Sequence, residues 1–493
     1  MTREQIIVVT ICIYVVFMAA IGFIGSKKSK TMGDFTVGGR SAGAWMSAFS
    51  YGTAYFSAVM FIGYAGGTGW KYGIWGVLPG VGNAIIGSLL AWLVLARRTR
   101  KLTREKGITS MPQLFEKCFG SRAMKLFSAI VIFIFLLPYS ASVYKGLTSV
   151  CSVLLGVDEM VCMIVIAAAS AVVVVAGGYI AALRADFFQG AVMLVGVIAL
   201  IVAVFKSDSV GGLSEGLKNI VTETEALDLT ASQHIGLWAT VLMTSFGTWG
   251  LPQMIHKYYG IRDDKEVKRG TVISSFFALI VAGGGYLIGS LSHLFFKELP
   301  EGGTDYLIPN MLANAGIADI LVGIILVLLI AASVSTLSSI TITASSTLSM
   351  DIIQDRFIKD KEKDVSVLTK FICLAFVIIS FFIAWKGEGT PILDMMSYSW
   401  GIISGSFLAP YAISLYWKKA SKYGAWAGML GGFAVALPPL VAKLCGSEIA
   451  IGNFGRLCDM GAHFACAAMI VSFILVFAVS AVTNKKEKLQ KGA

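Results

Sequence analysis

The chain has 493 residues, 56% of them apolar and only 14% charged, with 40 Lys and Arg against 29 Asp and Glu for a net charge of +11. Soluble globular domains carry roughly 25% charged residues, so this composition, with a mean hydropathy of +0.77, excludes an ordinary soluble fold. The basic excess would suit nucleic acid, but its charges form short clusters between long apolar runs, and nucleic acid is not expected as a partner.

A hydrocarbon core about 30 Å thick needs about 20 apolar residues per crossing helix. Thirteen segments meet that length: 5–25, 43–66, 74–96, 123–152, 159–179, 185–205, 235–256, 271–296, 318–350, 366–386, 391–417, 423–442 and 462–482. The first is preceded by barely basic residues, exceeds the apolar stretch of a cleavable signal and is followed by a basic loop and a further segment, so it is expected to be retained. The sequence therefore predicts one all-α integral membrane domain of about 13 transmembrane helices.

Connections alternate in charge. One set holds 31 Lys and Arg and the other, with Arg3, holds eight. The positive-inside rule then places the N-terminus outside and the C-terminus in the cytoplasm. The connections are too short for a soluble catalytic domain, and the tail after 484 is too short for a signalling domain. There is no H-E-x-x-H, P-loop, G-x-S-x-G or carboxylate pair, so an enzyme is not expected.

Two segments are broken. The second carries Gly52, Gly63, Gly66 and Gly67, and the seventh carries Gly247, Gly250 and Pro252. They lie five helices apart. Five is odd, so two five-helix halves starting with these segments must be inverted in the membrane. Interrupted helices at matching places of inverted halves point to a midplane binding site in secondary transporters. The alternative is that glycine serves close helix packing.

The ninth segment bears a hydroxyl face in which Ser335, Thr336, Ser338 and Ser339 fall at helical spacing. Hydroxyls and freed carbonyls suit a small hard cation, but alone such a stripe reads better as helix packing. Asp186 opens the sixth segment. An acid at membrane depth is a functional candidate, and the alternative is a surface carboxylate paired with Arg184. Lys145 is expected to snorkel to the interface, and Asp394 to be solvated near a helix end. Eight cysteines are scattered without metal-type spacing; Cys445 and Cys458 share a connection and are expected to be free thiols.

At this point the chain resembles the sodium/solute symporters, which include transporters of proline, pantothenate, sugars, iodide and sialic acid. The matching residues are Phe35-Thr-Val-Gly-Gly-Arg-Ser41, Gly177-Gly178 through Asp186 and Gln189, Gly250-Leu-Pro-Gln253 before a basic loop, and Ser335-Thr-Leu-Ser-Ser339 through Met350-Asp351. The resemblance implies an inverted five-plus-five, LeuT-like fold. Residues 5–25 form a peripheral helix, 43–205 the first repeat, 235–417 the inverted second repeat, and 423–482 two C-terminal helices.

The resemblance also implies Na+ as coupling ion, held by the carbonyls of Thr53, Phe56 and Ala332 and the hydroxyls of Ser335 and Thr336. Asp186 and Ser338 match a second sodium position found in some members. Around the solute, Ser57 and Tyr139 match the proline-transporting branch. Thr244 and Thr248 stand where that branch has Trp and Tyr, and Tyr55 where it has Asp. Met60 replaces a Gln of the sugar transporters. The expected function is sodium-coupled symport of a small organic solute across the cell membrane by alternating access, the solute being an amino acid, a monocarboxylate or a similar polar metabolite. The alternatives are a solute-sensing transceptor, a proton-coupled carrier using Asp186, and a passive channel.

Overall fold

The computed structural model describes residues 9, 10, 12–14, 16, 17, 20, 40–316, 318–358, 364–387 and 390–491, without the side chains of 172–181 and 485–491. Most of the first expected span, the Phe35–Gly39 part of the motif, and several basic residues counted for topology lie outside that description. Among the described residues the fold is helical throughout, with two isolated bridges and no strand.

Twelve helical segments carry the site and its surroundings. They are α1 (Ala44–Tyr55), α2 (59–72), α3 (78–105), α4 (Met111–Phe119), α5 (Arg122–Leu155), α6 (Glu159–Phe205), α7 (Leu213–Ala226), α8 (Ala231–Phe246), α9 (Pro252–Tyr259), α10 (Asp264–Phe295), α11 (Leu307–Asn314) and α12 (Asp319–Phe357). They are followed by α13 (Ser366–Lys386), α14 (Ile392–Tyr416), α15 (Lys422–Leu444) and α16 (Gly461–Lys491). By length and apolar composition, eight helical stretches of the described residues are long enough to cross a membrane.

The expected spans differ from these elements at three places. The second and seventh are each divided, the seventh at its Gly247–Pro252 run and the second at Phe56, between its glycines. Residues 159–179 and 185–205 fall within one run of helical backbone, because Gly177-Gly178 does not interrupt it. The second span extends to Tyr72, where Gly73, at φ 57° and ψ −130°, turns the chain into the third. A side chain there would meet both a left-handed backbone and Thr224.

Helix ends follow their sequence. Ser110 and Ser121 cap α4 and α5 by accepting from Gln113 and Met124 backbone N–H groups, and Thr230 and Gln233 form a reciprocal capping box on α8. Helices α1, α3 and α10 pack together, while α12 packs on α6, α5 and α13; α14, α15 and α16 form a third group beside them. Small residues allow the closest crossings: Gly405 and Gly432 place the backbones of α14 and α15 in contact.

The basic connections meet at one end of the bundle. Arg97 and Arg100 pair with Asp264, each at 2.7 Å. Arg104 donates to the Arg40 and Ile261 carbonyls, Arg40 to that of Ile108, and Lys125 joins Glu116 and Asp355. At the other end, Lys145 donates to the carbonyls of Gly387 and Thr390 at 3.0 and 2.6 Å. Lys145 is thus held at the C-terminus of α13, where the helix dipole favours a cation. Asp394, expected to be solvated, is instead buried, in the first turn of α14. The described Cys445 and Cys458 are free.

Candidate cation and solute site

α1 ends at Tyr55. Phe56 is extended (φ −105°, ψ 110°), and Ser57 starts a new turn by accepting from the Val59 N–H with its hydroxyl and from Met60 with its carbonyl. Breaking the helix leaves the last carbonyls of α1 without their usual partners. In a membrane such groups must find another polar atom. The Thr53 carbonyl finds the Thr336 hydroxyl, which donates to it at 3.0 Å and also reaches the Ala332 carbonyl at 3.0 Å.

Ser335, one residue before, sits 2.8 Å from the Thr53 hydroxyl and 2.6 Å from Asp186 Oδ1. Thr53, Phe56, Ala332, Ser335 and Thr336 are all essentially inaccessible to solvent. The structure therefore brings α1, α6 and α12 together around hard oxygen donors beside one carboxylate. These are donors that suit a small alkali cation and not a thiolate- or imidazole-seeking metal. Among the described residues, no His, Cys, Asp and Glu cluster of metal-binding type exists.

Asp186 is 1% exposed, so the alternative of a surface carboxylate is excluded. Its partner is not Arg184. Oδ2 accepts from Ser50 of α1 and from the Lys257 ammonium of α9, the latter at 3.2 Å; Lys257 also donates to Ser339 at 2.9 Å. Lys257 is 4% exposed and Ser338 has a buried hydroxyl without a partner in the protein.

The second break runs through a 3-10 turn at Gly247–Gly250 and an extended Leu251, after which Pro252 starts α9. Proline fits there because the first turn needs no N–H. The freed carbonyls are met by neighbouring hydroxyls: Tyr55 donates to Thr244 at 2.6 Å and Ser404 to Gly247 at 2.6 Å. The Thr244 and Thr248 hydroxyls donate to carbonyls of their own segment, at Thr240 and Ser245. Tyr55, bound to the Thr244 carbonyl, stacks on Phe56 with ring centres 4.3 Å apart.

Tyr139 follows Pro138 in α5, and Ser399 of α14 donates to the Phe135 carbonyl beside that interruption. The Tyr139 ring meets Trp400 edge-on at 5.6 Å. The Tyr139 hydroxyl, the Trp400 indole N–H and both polar atoms of Gln253 are buried without a close partner in the protein. Met60 sulfur lies beside Gly285 of α10. Ser57, Met60, Tyr139, Thr244 and Thr248 thus lie on the same broken helices and on α5, with no charged side chain among them.

Sequence reasoning missed Lys257, Ser50 and Trp400. Lys257 was counted with the basic loop that follows it. The available signal was chemical: a buried carboxylate at position 186 requires a countercharge. Removing Lys257 from the loop leaves the charge asymmetry intact.

Residues 35–432 match the model of the sodium:solute symporter family. The chain is 27% identical over 432 residues to the high-affinity proline transporter PutP of Bacillus subtilis, covering 85% of this chain and 89% of that one. It is 26% identical to the osmoregulated proline transporter OpuE of the same organism, covering 98% and 96%. In three dimensions it matches the substrate-bound, outward-open structure of a Na+-coupled sialic acid symporter with a TM-score of 0.77 at 19% identity, covering 97% and 98% of the two chains.

Proposed function

The chain belongs to the sodium:solute symporter family, and from that premise we propose that Thr53, Phe56, Ala332, Ser335 and Thr336 hold its coupling sodium. The protein is a multi-pass protein of the cell membrane that couples sodium to the movement of a small solute. The observation that supports this ion site is the meeting of the Thr336 hydroxyl with the Thr53 and Ala332 carbonyls at the break in α1. An ion there joins α12 to α1, so its arrival and departure alter how those two helices fit together.

The solute site in this reading comprises Ser57, Met60, Tyr139, Thr244 and Thr248, with Trp400 added. Buried donors and acceptors without partners favour a small polar molecule that supplies them. The relatives carry proline and a solved neighbour binds sialic acid, so kinship alone does not select the solute. Tyr55 and Trp400 make this site aromatic at its edges, which suits a compact organic metabolite with one apolar face. An amino acid or monocarboxylate fits, its charge balanced by the sodium.

In alternating access, sodium enters first and fixes α1 against α12, solute follows, and movement of one helix group against the other opens the opposite path. The two repeats, 43–205 and 235–417, supply those groups, and the basic end faces the cytoplasm with the N-terminus outside. A tenfold sodium gradient supplies about 1.4 kcal/mol. A potential of about 100 mV adds about 2.3 kcal/mol per charge. Together these concentrate a neutral solute on the order of 500-fold with a single sodium.

Purified protein in proteoliposomes tests the reading. An imposed sodium gradient should drive accumulation of candidate solutes, and a proton gradient alone should not. Accumulation that ignores sodium would overturn it.

A further inference from the structure

We propose that the Lys257 ammonium is a built-in cation that occupies the Asp186 carboxylate, so that this carrier binds one sodium where a second could otherwise sit. The inference rests on the sodium site proposed above and adds the ion count. Lys257 reaches Asp186 Oδ2 at 3.2 Å and Ser339 at 2.9 Å, while Ser50 and Ser335 donate to the same carboxylate. Asp186 is therefore enclosed by two hydroxyls and one ammonium that are themselves buried.

Charge decides between one cation and two. A buried carboxylate needs one positive charge to offset its removal from water. Lys257 supplies it permanently. A sodium ion on the same carboxylate would add a second uncompensated positive charge to that of the first sodium inside the membrane, and such an accumulation of charge is strongly disfavoured.

Space closes the remaining route. The ammonium could give up its place only by swinging away, and the cavity it borders, with Ala182, Gln253, His256, Ser339 and Thr343, measures about 10 Å³. That is about one water. That leaves the ammonium little room to move off Asp186 in this conformation. Ser338, whose buried hydroxyl lacks a partner in the protein, takes no hydrogen bond from the pair. The sodium at Thr53 and Thr336 is unaffected by sign, because the Asp186–Lys257 pair as a whole is neutral.

Equilibrium binding of radioactive sodium to purified protein counts ions without requiring the solute. The wild type should bind one sodium per chain. Lys257→Met, which keeps the length and removes the charge, should bind two, with the Hill coefficient of sodium-dependent thermal stabilisation rising from 1 toward 2. Adding Asp186→Asn to that variant should return the count to one, and Lys257→Arg should keep it at one. Two ions on the wild type, or one on a folded Lys257→Met protein, overturns the proposal. The wild-type count stands even if Lys257→Met fails to fold. No sodium on the wild type would instead refute the underlying sodium site.

Discussion

The Thr336 hydroxyl donates to the Thr53 carbonyl at 3.0 Å across 283 residues of sequence, joining α12 to the last turn of α1 where that helix stops. Without Thr336 the freed carbonyl loses this donor, since the neighbouring Ser335 reaches the Thr53 hydroxyl and not its carbonyl. If the two residues hold sodium, Thr336→Ala and Ser335→Ala should each raise the sodium concentration for half-maximal uptake about tenfold, the equivalent of about 1.4 kcal/mol. Thr336→Ser keeps the hydroxyl and should stay near wild type. An unchanged sodium dependence in both alanine variants would remove them from the site.

Tyr55 closes the second break by donating to the Thr244 carbonyl at 2.6 Å. Tyr55→Phe keeps the ring stack on Phe56 but leaves that buried carbonyl unmet, at a cost of about 1–3 kcal/mol. Thermal unfolding in detergent should move down accordingly. Thr244→Ser should move it far less, because the Thr244 hydroxyl only bonds back to its own helix. Equal losses for the two variants would count against the Tyr55 contact as the closure.

The second helix break was legible in the sequence because its cause is local: Gly247, Gly250 and Pro252 stand together in mid-span. The first falls at Phe56, between its glycines and with none at the break itself, so only its neighbourhood was legible. The Ser335–Ser339 hydroxyls share a face by helical period alone. Asp186 was legible as an acid at the wrong depth. Its partner was not, since Lys257 lies 71 positions away and next to a run of loop cations. The surroundings of Lys145 and Asp394 were not legible for the same reason. Both lie near helix ends, and only the fold shows that Lys145 is bound to carbonyls of the α13–α14 connection and that α14 buries Asp394. Local pattern gives the break; only tertiary contact gives the countercharge.

Helices α14 and α15 touch through glycine. A Cβ on Gly432 would fall on the Gly405 carbonyl, and backbone cannot rotate aside as a side chain can. Gly432→Ala should therefore separate the two helices and destabilise the protein by about 1–3 kcal/mol. Gly283→Ala in α10 is the control: its nearest neighbour would be Leu279 at 3.9 Å, an ordinary contact. That change should be neutral or slightly stabilising, since alanine favours helix over glycine. Similar melting temperatures for the two variants would refute the tight crossing.

Asp305, in the connection between α10 and α12, is the clearest source of pH dependence outside the spans. Burial pushes its carboxyl up to about 6, against the opposing pull of the Ile392 N–H, which donates to Oδ2 at 3.0 Å, and of the Lys145 charge. A carboxyl whose folded value lies above its unfolded one binds protons more tightly when folded. Its contribution to stability is fully present below about 3.8, the ordinary value, and is lost as pH rises through about 6. Asp305→Asn keeps an oxygen for Ile392 and removes the titration. Relative to wild type it should gain about 2 kcal/mol between pH 4 and 7.5, somewhat less than the full shift is worth because some loss has begun by pH 4. Melting temperatures of both proteins across that range measure it. A difference that stays constant with pH would show that Asp305 is not the titrating group, and one that narrows as pH rises would reverse the sign of its coupling to folding.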